Sequence, residues 1–283
     1  MNILLTNYFM TSLGGSETFT YTLAKELERL GHNVEVFAFE YDDKFNLNFV
    51  YKPKSKYDLI LASHNVCLKI LKHTEGYKIL TCHGIYPRLE QPIEGANRYV
   101  SISEEVQQYL RFKGFNSTII HNGIDCKRFI SYRKINKKLQ NVLSLCKGDS
   151  ANYRLAKACK NLELEFETIQ SIWNVEEMIN WADLVVSLGR GAYEAMSCGR
   201  SVFVYDTREY TELKTGDGIV TKENCNELLK NNFSGRRFKI PYSVKDLERE
   251  LLKYDSTIGE FNRKFALENF DVRKTAKQYL KLY

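Results

Sequence analysis

The stretch DLVVSLGRGAYEAMSCGRSVFVY, residues 183–205, predicts a strand, a short helix and a second strand in direct succession. Both apolar runs have the length and the branched side chains of buried strands. Gly189 and Gly191 open the loop into the helix, and Arg190 and Glu194 stand in its first turns. Two parallel strands joined through a helix indicate an α/β fold whose sheet is covered on both faces.

The same alternation extends along the chain in both directions from this unit. Strands are predicted at residues 2–6, 33–39, 57–64, 77–84, 97–103, 117–123, 140–146, 162–168, 183–188 and 201–205. Helices are predicted from a cap at Ser16 to Gly31, near 65–73, 104–113, 151–161, 174–182 and 191–198, in a tail from about residue 223, and at 272–283, where an apolar stripe recurs with a helical period. Strands that alternate with helices predict parallel sheets.

The alternation restarts after HNGIDCKRF, residues 121–129, so the chain reads as two Rossmann-like halves. We expect one domain at 1–125, a second at 126–265 and a C-terminal segment at 266–283. Two such halves facing each other would enclose a cleft bounded by the carboxyl ends of both sheets, where open α/β folds bind ligands.

The composition is that of a soluble globular protein, with 43% hydrophobic and 27% charged residues among 283. No apolar run reaches the length of a membrane-spanning helix, and the first ten residues lack the features of a secretory signal. Seven cysteines occur without metal-ligand spacing, which favours buried, reduced thiols and no metal site. Together these features predict a cytoplasmic protein.

Basic residues are concentrated at 126–138 and 234–239, within a net charge of +6. A solvated surface or linker is the favoured interpretation. The alternative is a patch that meets anionic lipid or a phosphorylated ligand, which would place the protein peripherally at the inner face of the membrane. Nucleic acid is not expected as a partner, because no nucleic-acid-binding motif accompanies these residues.

Glycines and histidines follow several strands of the first half. SLGGSE, residues 12–17, combines Gly14 and Gly15 with a helix N-terminus, as a phosphate loop does, and a tight turn before a helix explains it equally well. His83 follows a strand and would either face the cleft or form a hydrogen bond at the edge of the core. His64 ends the preceding strand with the same geometry.

Arg190 and Glu194 allow two interpretations from their chemistry alone. The guanidinium could bind a phosphate, and the carboxylate could accept two hydrogen bonds from a diol such as a ribose. Because the two residues are four apart on one helix face, an ion pair between them is the alternative.

A series of motifs resembles glycosyltransferases of the GT-B fold, specifically the family 4 type. The motifs are GGSE at 14–17, CHGIYP at 82–87, VSISEEVQQYL at 100–110, IIHNGID at 119–125, WADLVV at 181–186, YEAMSCGRSVFV at 193–204 and FALENFDVRKTAKQYLKLY at 265–283. The resemblance spans nearly the whole chain. It implies two Rossmann-like domains facing across a cleft, with the last helix returning to the N-terminal domain.

The resemblance implies transfer of a sugar from a nucleotide-sugar co-substrate to a saccharide, lipid-linked or small-molecule acceptor, without a further cofactor. It places Glu194 on the donor ribose and His83 beside the reacting sugar, so these two are the candidate catalytic residues. Gly14 and Gly15 would approach the donor phosphates. Lys147 is the nearest match to a lysine that meets the diphosphate.

Other residues complete the two predicted sites. Arg190 and Gly191 are expected at the donor diphosphate, and residues 169–175 at the nucleoside base. Glu17 and His64 are assigned to the acceptor side, where they would also be candidate bases.

The sequence departs from the family pattern of Glu-x7-Glu, since Val186 stands eight residues before Glu194. We expect Arg190 to supply positive charge in this shortened loop. Without a DxD motif we expect a metal-independent reaction, and the resemblance implies retention of the anomeric configuration.

Three other classes stay open. An inverting GT-B transferase or a nucleotide-sugar epimerase would need a general base in the N-terminal domain, for which Glu17, His64 and His83 are the candidates. A non-catalytic nucleotide-binding GT-B subunit is consistent with the missing glutamate. A Rossmann oxidoreductase is disfavoured, because the glycine loop does not match a dinucleotide fingerprint.

Overall fold

The computed structural model describes residues 1–207 and 215–283. Contacts divide the chain into two compact units. The first unit is Met1–Gly123 together with Val272–Tyr283, and the second is Ile124–Asp271. Residues 266–271, which we placed in the C-terminal segment, therefore belong to the second unit.

The first unit is built on a parallel six-stranded sheet in the order β3-β1-β5-β6-β7-β8. Its strands are β1 (Asn2–Thr6), β3 (Asn33–Phe37), β5 (Lys56–Ala62), β6 (Glu75–Cys82), β7 (Arg98–Ser101) and β8 (Thr118–Ile119). A separate parallel pair consists of β2 (Phe9–Met10) and β4 (Glu40–Tyr41). The helices are α1 (Gly15–Arg29), α2 (Asn65–Ile70), α3 (Glu104–Phe112) and α10 (Val272–Leu282), with 3-10 turns at Asp43–Phe45 and Arg88–Glu90.

The two ends of α1 differ in how well the sequence predicted them. The predicted cap at Ser16 is wrong, because the helix begins at Gly15 and Gly14 holds the N-cap position. Ser16 lies inside the first turn, where its hydroxyl donates to the neighbouring Glu17 carboxylate instead of capping an amide. The predicted end is confirmed, since Gly31 has a φ of +86°, a conformation that favours glycine.

The last helix packs into the core of the first unit. Ala276 and Tyr279 are fully buried among the apolar residues of α1 and the sheet. The Tyr279 hydroxyl hydrogen-bonds the Thr81 hydroxyl at 2.8 Å. Gly123 is packed against this helix so closely that a Cβ there would stand 2.8 Å from the Val272 Cα. The predicted apolar stripe is confirmed except at Tyr283, which is 57% exposed.

The second unit is built on a six-stranded sheet in the order β10-β9-β11-β12-β13-β14. Its strands are β9 (Asn141–Ser144), β10 (Glu165–Thr168), β11 (Leu184–Ser187), β12 (Ser201–Tyr205), β13 (Thr215–Ile219) and β14 (Ile240–Pro241). Its helices are α4 (Asp149–Asn161), α5 (Val175–Trp181), α6 (Arg190–Ser197), α7 (Cys225–Lys230), α8 (Val244–Leu251) and α9 (Ile258–Asn269). The predicted α/β class with parallel sheets is confirmed, and all seven cysteines are buried.

Two antiparallel strands complete this sheet, and the sequence analysis missed both. β13 has the sequence TGDGI, in which alternating glycines hide the strand pattern. The structure explains Gly216, since a Cβ there would overlap the Val204 carbonyl oxygen on the neighbouring strand. β14 lies inside the tail that we predicted to be wholly helical.

Three arginines of the two basic stretches have acidic partners within the second unit. Arg128 pairs with Glu176 at 2.8 Å, and Arg237 pairs with Glu227. The Arg133 guanidinium pairs at 3.1 Å with Asp183, whose carboxylate is fully buried. These contacts favour the linker and surface interpretation over an anion-binding patch. None of the helices in residues 1–207 and 215–283 combines the length and the apolar character needed to cross a bilayer.

Candidate functional site

A buried ion pair lies at the start of α6. The Arg190 Nε donates to the Glu194 Oε1 at 3.0 Å, and the two side chains are only 9% and 12% exposed. Burial lowers the pKa of Arg190 and raises the pKa of Glu194, because each charged form has lost its water. The ion pair that the spacing allowed is therefore present, and it stabilises two charges that are costly to bury singly.

Glycine is needed at the two positions beside this pair for different structural reasons. Gly189 is the N-cap residue and has a φ of +54°, which few other residues adopt. Gly191 is required by packing, because a Cβ there would overlap the Ser187 hydroxyl at the end of β11. Val186, which stands where the family has its first glutamate, is fully buried within β11.

The loop after β9 lies beside that start of α6. β9 and β11 are parallel neighbours, so the Lys147 loop and the Arg190 loop leave the sheet at the same edge. The Lys147 side chain is exposed. The predicted base segment, residues 169–175, leaves the same edge after β10, and the Gln170 side chain donates to the Cys146 carbonyl at 3.1 Å. The structure thus places the predicted donor residues of the second unit along one edge of one sheet.

Backbone amides at the start of α4 donate hydrogen bonds to a carboxylate of the protein itself. Asp206 accepts hydrogen bonds from the amides of Lys147 at 3.2 Å, Gly148 at 3.0 Å and Thr207 at 2.7 Å. Asp206 is 2% exposed. The α4 N-terminus therefore already binds an anionic group of the protein itself, and sequence reasoning did not find this residue.

In the first unit the predicted glycine loop is covered by a carboxylate. Glu17 folds back over Gly14, and a Cβ on residue 14 would overlap its Oε2. Hydroxyls of Ser12 at 3.3 Å and Ser16 at 3.0 Å donate to the same carboxylate. Gly15 has open space on its Cβ side. Of the two predicted glycines, Gly15 leaves room for a ligand.

The His64 ring is hydrogen-bonded to the backbone of the segment that follows β1. Its Nδ1 accepts a hydrogen bond from the Tyr8 amide at 3.0 Å. The ring is 6% exposed, and burial lowers its pKa to about 4. His64 is therefore neutral at physiological pH, with its proton on Nε2. It can offer that N–H to an acceptor, but Nδ1 is already engaged.

His83 directly follows β6, as predicted. Its ring is half-buried and packs edge-on against Phe19 of α1, with centroids 5.0 Å apart. The contact ties the loop after β6 to the helix that follows the glycine loop. It therefore brings His83 to the same edge of the sheet as Gly15 and Glu17.

Glu90 is a titratable residue of this edge that sequence reasoning missed. Its Oε2 lies so close to Gly84 that a Cβ on residue 84 would stand 2.7 Å away. Burial, and after it the charge of Glu17, raises the pKa of Glu90 to about 7. Its position after a proline in a short 3-10 turn has no periodic signature, so the only available signal was an acidic residue soon after the CHG motif.

Comparison with known sequences and structures gives this geometry a context. Residues 13–89 match the sequence model of glycosyltransferase family 4. That segment contains the predicted residues Gly14, Gly15, Glu17, His64 and His83. A search of curated protein sequences found no match.

Solved structures similar to this chain are glycosyltransferases. HepE from Anabaena, solved with UDP and glucose, is 15% identical with a TM-score of 0.69, covering 100% of this chain and 99% of that one. A glycosyltransferase from Rickettsia africae is 15% identical with a TM-score of 0.65, covering 100% and 97%. The pneumococcal O-GlcNAc transferase GtfA, solved with UDP and GlcNAc, is 9% identical with a TM-score of 0.62, covering 100% and 98%. The predicted GT-B fold and the resemblance to family 4 are confirmed.

Proposed function

We propose that this chain is a glycosyltransferase that transfers a sugar from a nucleoside-diphosphate sugar to a hydroxyl acceptor, which its GT-B fold and its family 4 segment support. The observation that carries the proposal is the buried Arg190–Glu194 pair at the start of α6. HepE and GtfA were each solved with UDP, which supports uridine as the nucleoside. The second unit binds the donor in this proposal.

The ion pair prepares both halves of the donor site. When the donor binds, its ribose hydroxyls donate hydrogen bonds to the Glu194 carboxylate, and its diphosphate accepts hydrogen bonds from the Arg190 guanidinium. Each buried charge thus exchanges one partner for another and is not left unpaired, which would cost several kcal/mol. The N-terminus of α6 adds favourable partial charge for the phosphates.

Asp206 directs the diphosphate to α6. Since this carboxylate already accepts from the Lys147 and Gly148 amides, a second anion at the α4 N-terminus would meet like charge. The Lys147 side chain is exposed and can reach the phosphates from the neighbouring loop. Arg190, Lys147 and the α6 N-terminus then stabilise the negative charge that accumulates on the leaving diphosphate.

We further propose a metal-independent, retaining reaction, because these cations supply the charge that a divalent ion would otherwise supply. The resemblance to family 4 supports His83 as a catalytic residue of this reaction and Gly15 as a phosphate-binding glycine, and Gly15 has open space on its Cβ side. Glu90 favours a second candidate, an inverting transferase. A carboxyl group whose pKa is about 7 is suited to accept the proton of an acceptor hydroxyl.

Donor binding and turnover test the proposal in separate steps. A thermal-shift screen with UDP-, GDP-, dTDP- and CMP-sugars identifies the nucleotide, because a ligand that binds the folded state raises the melting temperature. Turnover with the best donor, with and without EDTA, tests metal independence. The anomer of the product, assigned by NMR, separates retention from inversion. Binding without hydrolysis or transfer would indicate a non-catalytic subunit.

The pair itself is tested by Arg190→Gln and Glu194→Gln. Each change should weaken donor binding about tenfold or more, because it removes a charge-assisted hydrogen bond. Lys230→Ala is the control, since it breaks an exposed ion pair with Glu227 in the same unit. A folded Arg190 variant with full activity would contradict the assigned role.

A further inference from the structure

Three aromatic side chains are exposed together on the first unit. Phe9 is 39% exposed, Phe39 is 45% exposed and Tyr41 is 43% exposed. They lie on or beside the two-stranded pair β2·β4, in which Phe9 is opposite Glu40 and Met10 is opposite Tyr41. We call these three residues the aromatic shelf. Exposed apolar surface that is grouped in this way marks a binding site more often than scattered side chains do.

The rings of the shelf pack against other aromatic side chains. Tyr8 packs against Phe9, with centroids 4.4 Å apart, and against Phe39 at 4.8 Å. Tyr41 stacks on Phe49 at 4.2 Å with an angle of 10° between the ring planes. A ring already fixed by its neighbours loses little conformational entropy when a ligand covers it. The shelf is therefore organised before any ligand arrives.

The shelf is next to residues assigned to the acceptor. Phe9 belongs to the segment that leaves β1 and continues into the glycine loop with Glu17. The amide of Tyr8, the residue before it, donates to the His64 ring. Phe39 follows β3, the strand beside β1 in the sheet. The shelf and the predicted acceptor residues therefore share one edge of the sheet.

The charges around the shelf decide what can cover it. Glu40, Asp42 and Asp43 flank it on the chain, with Lys44 as the nearest basic residue in sequence. The Lys44 ammonium is held by Asp42 at 2.8 Å and by the Thr11 carbonyl at 3.1 Å. An anionic membrane surface attracts clusters of basic residues, and this acidic rim would be repelled by it. The rim therefore disfavours anionic ligands, and its carboxylates can accept hydrogen bonds from a ligand with many hydroxyl groups.

We propose that the aromatic shelf binds the pyranose ring of a neutral saccharide, whose C–H face packs on the rings of Phe39 and Tyr41. Aromatic faces carry partial negative charge and attract such polarised C–H groups. The proposal rests on the proposed function only in naming this saccharide the acceptor. Saccharide binding itself requires neither donor nor turnover.

Saturation-transfer NMR with lactose, cellobiose and maltose on the full chain tests the shelf. Wild-type protein should bind at least one of the three. Phe39→Ala and Tyr41→Ala should weaken that binding about three- to tenfold each, as expected for loss of one stacked ring. Phe39→Trp should keep it, because the ring face is retained. Phe112→Ala is the matched control, since this phenylalanine is 83% exposed on α3 of the same unit.

Two results would overturn the proposal. One is that none of the three disaccharides binds, or that the shelf variants bind as well as wild type. The other is that the shelf variants lose sedimentation with phosphatidylglycerol or phosphatidylcholine vesicles while saccharide binding is unchanged, which would make the shelf a membrane contact. Loss of nucleotide-sugar binding in Arg190→Gln with intact saccharide binding would separate the two sites.

Discussion

The Glu90 carboxylate lies directly on Gly84, with Oε2 placed where a Cβ on residue 84 would be only 2.7 Å away. The glycine therefore makes room for an acid that burial and Glu17 keep protonated to about pH 7. An acid in this state can donate a hydrogen bond to a ligand or, once ionised, accept a proton from it.

The first prediction concerns the stability of Glu90→Gln as a function of pH. The folded-state pKa of Glu90 is raised from 4.5 to about 7, so its contribution to stability is complete below pH 4.5 and is lost as pH rises through 7. Glu90→Gln has no titratable group at this position, so it does not lose this stability as the pH rises. Its free energy of unfolding relative to wild type should therefore rise by about 1–3 kcal/mol between pH 4.5 and pH 8, as measured by urea denaturation. Exposed Glu94→Gln is the control, and a flat difference across this range would refute the prediction.

The second prediction concerns His64→Ala, for which the pH dependence has the opposite sign. The folded-state pKa of His64 is lowered from 6.5 to about 4, so its contribution is complete above pH 6.5 and is lost as pH falls through 4. At pH 7.5 the variant should be destabilised by about 1–3 kcal/mol, since the Tyr8 amide loses its acceptor. The difference from wild type should shrink towards pH 4. Exposed His73→Ala should show no such trend.

The third prediction compares two glycines at helix starts. Gly191→Ala should lower stability by about 1–3 kcal/mol, because the new methyl group overlaps the Ser187 hydroxyl. Adding Ser187→Ala should recover most of this loss. Gly15→Ala meets open space and should leave the melting temperature nearly unchanged. If the donor phosphates approach Gly15, Gly15→Ala should raise the KM for the donor while the protein stays folded. An unchanged KM would show that the phosphates bind elsewhere.

The fourth prediction concerns how the last helix is attached. Tyr279→Phe removes a buried hydroxyl that hydrogen-bonds Thr81 and leaves the packing of the ring intact. It should cost about 1–2 kcal/mol of unfolding free energy. Hydrogen exchange should then increase first in residues 272–282. Tyr283→Phe, at an exposed position, should change neither measurement.

The sequence predicted those elements whose signal is local. β12 has the predicted bounds, and α10 begins at the predicted residue, because an apolar run or stripe specifies each of them. β13 was missed since its glycines serve close backbone approach to β12 and carry no apolar alternation.

The residues of the candidate site likewise divide into those with a local sequence signal and those without one. The glycines and charged residues at the strand ends could be proposed from the sequence because open α/β folds bind ligands at the carboxyl edge of the sheet. Glu90 and Asp206 interact with residues distant in sequence, Glu90 through the charge of Glu17 and Asp206 through the Lys147 amide. A single sequence contains no periodic signal for such pairs. The Arg190–Glu194 spacing predicted the pair's geometry, but only the fold shows that it is buried.

The placement of α10 has a consequence for biosynthesis. The first unit contains both ends of the chain, while the second unit is inserted between Gly123 and Val272. Ile124 and Asp271 form a β-bridge, so the inserted unit leaves and rejoins its host through adjacent strands of backbone. A ribosome releases the first 123 residues long before Ala276 and Tyr279, which complete their core. The inserted unit can therefore finish folding first, and the half made earliest becomes fully packed only after α10 has been synthesised.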